Sequence, residues 1–330
     1  MEENTTSLRD ILNSGPEKFK YNLLYLGKGS EFFSVVVVNW LLTLITLGLY
    51  YPWAKARKLQ YLYSSTDFLG SRFIFHGTGK EMFKGFIKAL IVLGFIYALM
   101  FYCLSQRMIF TGILVLYGGL VLIIPLAIHG SYRYRMSRTS WRGIRMGYRG
   151  TKTELASVYF KGIFLTIVTL GIYGAWLTIN LRKYILGNIR LGNLKFKYKG
   201  NGGDFFVLNL KGYFLSILTL FIYSFWWQKD LFNYYVNNME IEDENGNNIV
   251  FKSTATGGGF FKLIIVNLLM TIFTFGLAYP WVVTRTLKYI FSSVEMEGSV
   301  DMESVVQSEG NYTDATGDDI TDLLDFDFVI

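Results

Sequence analysis

Long apolar stretches alternate with short polar ones along the chain, the apolar ones lying near residues 32–51, 89–104, 108–128, 155–179, 205–227 and 260–284. Each approaches the roughly 20 residues that carry a helix across hydrocarbon. They lack the polar face that a helix on a soluble core turns to water, so the pattern predicts membrane helices. Between them run short period-two segments, RFIFHG (72–77), IRMGYRG (144–150) and LKFKYKG (194–200), preceded by KFKYNLLYLG (18–27). Alternation over such lengths predicts strands.

One phrase recurs inside the apolar stretches: TLITLGLYYPW (43–53), TIVTLGIYGAW (166–176), SILTLFIYSFW (216–226) and TIFTFGLAYPW (271–281). A tyrosine follows each tryptophan by eight residues, at Tyr61, Tyr184, Tyr234 and Tyr289, and Glu31, Glu154, Asp204 and Gly259 precede each phrase by twelve. A glycine stands four residues before each acid, at Gly27, Gly150 and Gly200, and the same opening appears as GTGKE at 77–81, while Ala255 takes its place in the last copy. The spacing predicts a five-unit repeat opening near 27, 77, 150, 200 and 255. A unit reads as glycine, acid, long apolar helix, break, second helix, strand.

Two topologies fit the break. The apolar runs cross the membrane singly, or each break is a tip at which the chain turns back. Tips near 44–54, 167–177, 217–227 and 272–282 hold no Lys or Arg, and only Arg107 marks the second unit's tip. Hairpins therefore gather positive charge toward one face, as the positive-inside rule asks, whereas single spans divide it evenly. Gly48, Gly171 and Gly276 suit a helix end, and Pro52 and Pro280 suit the first turn of a new helix. Tyr50, Tyr51 and Trp53 read as an interfacial belt at the far headgroups. From Glu81 to Gly143 the second unit is 23 residues longer than the equivalent Glu31 to Gly70. Its arms are full spans, whereas arms of roughly 15 residues reach only about 22 Å of a core about 30 Å thick.

Composition sharpens this. The 330-residue chain is 52% hydrophobic and 17% charged, against about 25% charged in soluble domains. Residues 1–30 hold no apolar signal core, so the first apolar run is the expected insertion signal. Cys103 is the only cysteine, which excludes an internal disulfide. All 32 basic residues lie at or before Lys288, and eleven acids follow it. A basic membrane protein is drawn to anionic headgroups; no nucleic-acid-binding motif appears, so nucleic acid is not an expected partner.

The G-x-x-x-E-F opening, TLITLGLYYPWAKARKLQY and FLGSRFIFHG resemble the family of bacterial inner-membrane proteins typified by YjgN, over roughly residues 18–300. The resemblance implies a multi-pass protein of the bacterial inner membrane and brings no activity, substrate or catalytic residue with it. Phe221 replaces the expected glycine in the fourth unit, and Gly259 the acid in the fifth.

Chemistry is sparse. His76 and His129 have no second ligand at metal spacing, and no HExxH, G-x-S-x-G, Walker or dinucleotide fingerprint occurs. No catalytic residue, cofactor or metal is expected, and the chain is not read as an enzyme. The acids Glu31, Glu81, Glu154 and Asp204 fall where a helix begins, where a negative charge stabilises the helix end; pairing with a nearby Arg or Lys is a second reading, and a carboxylate ring that binds a cation or relays protons is the sharper alternative. Candidate anion- or lipid-binding residues are Arg57, Lys58, Arg133, Arg135, Arg138, Arg182, Lys183, Arg285 and Lys288, since cations within arms are costly in lipid unless they meet a polar partner.

The expected fold is an α-helical integral membrane protein, a five-unit repeat of helical hairpins with short strands on one membrane face. Residues 1–17 form a polar segment, 18–303 the membrane domain and 304–330 an acidic, flexible tail. The stretch just after 299 reads as disordered, and the terminal DDITDLLDFDFVI reads as a solvated end or one that docks on the basic face or a partner. Two function classes fit: a carrier or channel for an anionic or lipidic species, and a non-catalytic scaffold that binds lipid headgroups and organises or thins the bilayer.

Overall fold

The computed structural model describes residues 19–308, so the polar segment at 1–17 and DDITDLLDFDFVI lie outside the described residues. Ten helices pair in sequence: α1 (Gly29–Ile45) with α2 (Tyr51–Ser64), α3 (Gly79–Ser105) with α4 (Ile109–Ser137), α5 (Lys152–Val168) with α6 (Gly174–Gly187), α7 (Gly202–Leu218) with α8 (Ser224–Asn237), and α9 (Gly257–Phe273) with α10 (Tyr279–Ser292). Each helix packs on the next, and α10 returns to pack on α1, so the helices form a closed ring.

Strands link the pairs: β1 (Phe19–Tyr21), β2 (Leu23–Tyr25), β3 (Thr66–Phe68), β4 (Ser71–Phe75), β5 (Thr139–Trp141), β6 (Ile144–Tyr148), β7 (Ile189–Leu191), β8 (Leu194–Tyr198), β9 (Met239–Glu242), β10 (Asn248–Ser253) and β11 (Val294–Gly298). All neighbours are antiparallel; β2 to β11 follow chain order, and β1 lies beyond β11. At the ends, Tyr21 pairs with Met296 while Leu23 pairs with Phe68. A single run broken at Asn22 therefore joins both edges and nearly closes the sheet into a barrel.

This corrects the expected fold class. The protein is not a plain α-helical membrane protein with accessory strands, because an eleven-stranded sheet organises it, and among the described residues only α3 and α4 are long and apolar enough to cross a membrane. Strands of three to six residues are too short to be stable singly. Their alternation is visible in the sequence, but only the hairpin pairings, such as β3 with β4, are local; β4 with β5 and β6 with β7 join neighbouring units.

One sheet face fills the barrel. Tyr21, Phe68, Trp141, Leu191, Leu194, Ile241, Ile249 and Met296 pack together there. The opposite face carries charge, with Lys197 paired to Glu242 and Lys199 to Glu240. The stretch after 299, expected to be disordered, instead packs into the barrel: Val300, Met302 and Val305 are buried, and Tyr21 donates its hydroxyl to the Val300 carbonyl at 2.7 Å. Their apolar side chains extend the interior layer, while Glu303 reaches Arg142 at 2.7 Å.

Glycines hold the units together by leaving space for rings. A Cβ on Gly27, Gly77, Gly150 or Gly200 would lie within about 2.5 Å of the aromatic ring two residues earlier: Tyr25, Phe75, Tyr148 and Tyr198 in turn. Where Ala255 replaces the glycine, Ser253 replaces the ring. A second set joins neighbours. Trp53 lies against Gly79, Trp176 against Gly202, Trp226 against Gly257, and Trp281 against Gly29, each about 2.2–2.3 Å from a would-be Cβ. The α4–α5 junction lacks both partners, with Leu126 at the tryptophan position and Lys152 at the glycine position. Ring and gap are present or absent together, so the recurring tryptophan is a packing knob between units rather than the interfacial belt expected for Trp53.

Candidate functional site

Two regions gather the polar chemistry: the bases of the helix pairs, beside the sheet, and the tips. At the bases, Thr78, Thr151 and Thr256 accept through their side chains from the backbone N–H of Glu81, Glu154 and Gly259, and Asn201 accepts from Gly203 and Asp204. The T-x-x-E spacing is a helix-start signature that the reading of the acids alone passed over. The recurring tyrosines clasp the same ends. Tyr184 accepts from the Thr151 N–H at 2.7 Å, donates to its carbonyl and lies 3.0 Å from Glu154. Tyr61 and Tyr234 make the corresponding bonds to Lys28 and Asn201. Each acid has its own neighbours, and no group of metal-ligating side chains forms among the described residues. The acids therefore belong to separate helix starts.

The second pair differs. Arg138, at the end of α4, reaches Glu81 at 2.6 Å, and its side chain is only 9% exposed; Tyr134 donates to the other Glu81 oxygen at 3.2 Å. A cation at a helix C-terminus facing an anion at a helix N-terminus satisfies both dipoles.

The remaining cations do not converge. Arg57 is exposed and lies over the Tyr50 ring at 5.9 Å. Lys58 donates to Tyr279 at 2.8 Å across the α10–α1 closure. Arg182 stacks 3.8 Å above Tyr235 and 5.7 Å from Tyr198. Arg133, Lys183 and Lys288 are exposed, and Arg135 and Arg285 half-buried. Lys55, which follows the first tip, is buried. His76 shares a 2.8 Å hydrogen bond with Ser140, and burial, with Arg145 and Arg138 nearby, pushes its pKa down. Burial pushes the strand phenols of Tyr25, Tyr148 and Tyr198 up, so they stay neutral.

At the tips, Thr46, Thr169, Thr219 and Thr274 each accept from the backbone N–H four residues on. The next residue is left-handed in every pair: Leu47, Arg107, Leu170, Leu220 and Phe275, with φ of 50°, 59°, 51°, 49° and 51°. Leu47, Leu170, Leu220 and Phe275 are 94%, 95%, 85% and 96% exposed. A large apolar residue in this conformation costs roughly 1–2 kcal/mol, and in water it would gain nothing in return. These tips suit hydrocarbon.

The chain is 32% identical over 148 residues to the inner membrane protein YjgN of Escherichia coli O157:H7 and 34% identical over 128 residues to that of Escherichia coli strain K12. The Salmonella typhimurium LT2 protein of the same name is 29% identical over 140 residues. These matches take in 45%, 39% and 41% of this chain and 35%, 31% and 33% of the relatives, so the chain spans about a third of the length of the curated relatives it matches. No solved structure matches it. Apolar tips, two long apolar helices and relatives named as inner membrane proteins agree on a membrane protein. The model of the bacterial proteins of unknown function DUF898 matches residues 20–211 and 217–323, and the chain belongs to that family.

Proposed function

We propose that this protein is a non-catalytic scaffold of the bacterial inner membrane that crosses it through its long helix pair, inserts four short pairs partway, thins the bilayer around them and binds anionic lipid headgroups at the helix bases. The observation that carries the reading is the contrast in tips. Four pairs of 17- and 14-residue helices reach about 25 and 21 Å and end on exposed Leu or Phe. The 27- and 29-residue pair reaches about 40 Å and ends on Gln106 and Arg107. Short apolar ends are accommodated by local thinning, and cations at the bases attract anionic lipid by about 1 kcal/mol each.

A carrier for an anionic or lipidic species is the second reading, favoured by Lys55, buried within the arm that follows the first tip. Against a channel through the sheet stands the barrel interior, packed by Trp141, Leu194, Ile249 and Val300. The test is reconstitution in vesicles with and without phosphatidylglycerol. The scaffold reading expects retained anionic lipid by native mass spectrometry and no anion flux. Flux abolished by neutralising Arg57, Lys58, Arg182 and Lys183 in a folded protein would replace it with transport.

A further inference from the structure

The fourth helix pair carries a cleft of about 520 Å³ between α7 and α8, lined by Asp204, Val207, Leu208 and Lys211 on one side and Tyr223 and Asp230 on the other. Val207 is 62% exposed and Phe214, one turn beyond Lys211, is 59% exposed, so the cleft opens on the surface that the proposed insertion turns toward lipid. Lys211 makes no ion pair or hydrogen bond with the described residues. Asp230 pairs with Lys229 through one oxygen and faces the Tyr223 hydroxyl at 3.4 Å with the other.

The charges are ordered along the pair. Trp227 packs on Gly212 and the Tyr234 hydroxyl meets the Asn201 backbone, which sets the two helices' levels. Lys211 therefore lies toward the tip, Asp230 slightly nearer the base, and Asp204 about 10 Å below Lys211 at the base. This arrangement is peculiar to the fourth pair. Four residues after the recurring tryptophan stand Arg57, Asn180 and Arg285 elsewhere, and seven residues after the helix-start position stand Val38, Lys161 and Val266. No other pair sets a lysine on its first helix against an acid on its second; the long pair has Lys88 against Gly130.

We infer that this cleft binds a zwitterionic phospholipid with a primary-amine headgroup, its phosphate on Lys211 and its ammonium between Asp230 and Asp204. A phospholipid entering from the side places its phosphate nearer the acyl chains and its amine nearer water, which is the order of the protein's charges. The volume lies within the range of pockets that hold a small ligand. A purely anionic headgroup meets two carboxylates, and a quaternary amine cannot donate hydrogen bonds to them. This deepens the scaffold reading and rests on it.

The full chain in detergent is titrated with phosphatidylethanolamine, phosphatidylcholine and phosphatidylglycerol and read by native mass spectrometry. The charge-assisted hydrogen bonds that only the primary ammonium donates should make phosphatidylethanolamine bind about tenfold more tightly than phosphatidylcholine. Asp230→Asn should erase that preference and free Lys229 for phosphatidylglycerol, and Asp230→Glu should retain it. Lys211→Gln, at an exposed position, should weaken both zwitterionic lipids, whereas Lys161→Gln on the third pair should change nothing. If phosphatidylglycerol is retained but the wild type shows no preference for the primary amine, or if the preference survives Asp230→Asn, or if Lys211→Gln leaves both zwitterionic lipids bound as before, the cleft assignment is overturned and the scaffold stands. If no lipid is retained, both fall.

Discussion

The long helix pair and its four short neighbours share one turn and differ in what they place on it. In all five, the left-handed residue donates to a carbonyl three residues back, and its successor donates to one five residues back, as in Met108 to Cys103 at 2.9 Å and Gly48 to Thr43 at 2.7 Å. At that position the long pair has Arg107 and the short pairs have Leu47, Leu170, Leu220 and Phe275. Backbone geometry thus demands the turn, while length decides its side chain. A tip carried across hydrocarbon meets water on the far side and can be polar; one that stops inside must be apolar.

The largest effect comes from asking which tips water reaches. In a Cys103→Ala background, Arg107→Cys should react with a membrane-impermeant maleimide from the side opposite Lys195→Cys, which lies on the exposed sheet face. Leu47→Cys and Leu170→Cys should stay unlabelled from either side until detergent is added. Full labelling of Leu170→Cys in intact vesicles would remove the distinction between the two kinds of pair.

The bases of the pairs differ next. Glu81 is 24% exposed and faces an Arg138 side chain only 9% exposed, whereas Glu31 is 54% exposed beside a Lys28 side chain 69% exposed. Removing one member of a buried pair leaves the other charge uncompensated, at a cost of about 3 kcal/mol or more. An exposed pair contributes about 0–1 kcal/mol. Glu81→Gln should therefore lower the thermal midpoint in detergent markedly and Glu31→Gln hardly at all; equal losses would show that the long pair has no special anchor.

How much of this was legible depends on where each partner sits in the chain. Tips, helix starts and the extra length of the second unit are local, and Gly48, Pro52 and Glu81 mark them from sequence alone. The sheet was not legible as a whole, since each strand's alternation leaves open whether it pairs with a hairpin partner or with another unit. Trp53 was misread for a related reason: an aromatic beside a tip fits an interface as well as a packing role, and its partner Gly79 lies in the next unit. The signal was nevertheless present, since Leu126 and Lys152 lose knob and hole together.

That covariation allows one kind of junction to be converted to the other. Gly202→Lys should destabilise by about 1–3 kcal/mol, because the new side chain meets the Trp176 ring. Trp176→Leu alone should also destabilise, by leaving a gap. Combined, the two reproduce the α4–α5 junction, and the double variant should recover at least about 1 kcal/mol relative to the sum of the singles. Additive losses would mean that the tryptophans do not act through the glycines.

The smallest expected effect lies in the one short tip that breaks its own pattern. The fourth pair follows Leu220 with Phe221, left-handed at φ 66°, where the first, third and fifth have Gly48, Gly171 and Gly276 at 91°, 95° and 85°. A bulky residue in that conformation costs roughly 1–2 kcal/mol that glycine does not. In detergent, Phe221→Gly should therefore raise stability by about 1 kcal/mol, and Gly276→Ala should lower it by a similar amount. Stability in vesicles should move the other way. Phe221 is 69% exposed, and a ring of that size held in hydrocarbon favours insertion by about 1.5–3 kcal/mol. Phe221→Gly should accordingly melt later in detergent yet unfold at lower urea concentration in vesicles. Gain in both measures would place this tip in water and align the short pairs with the long one.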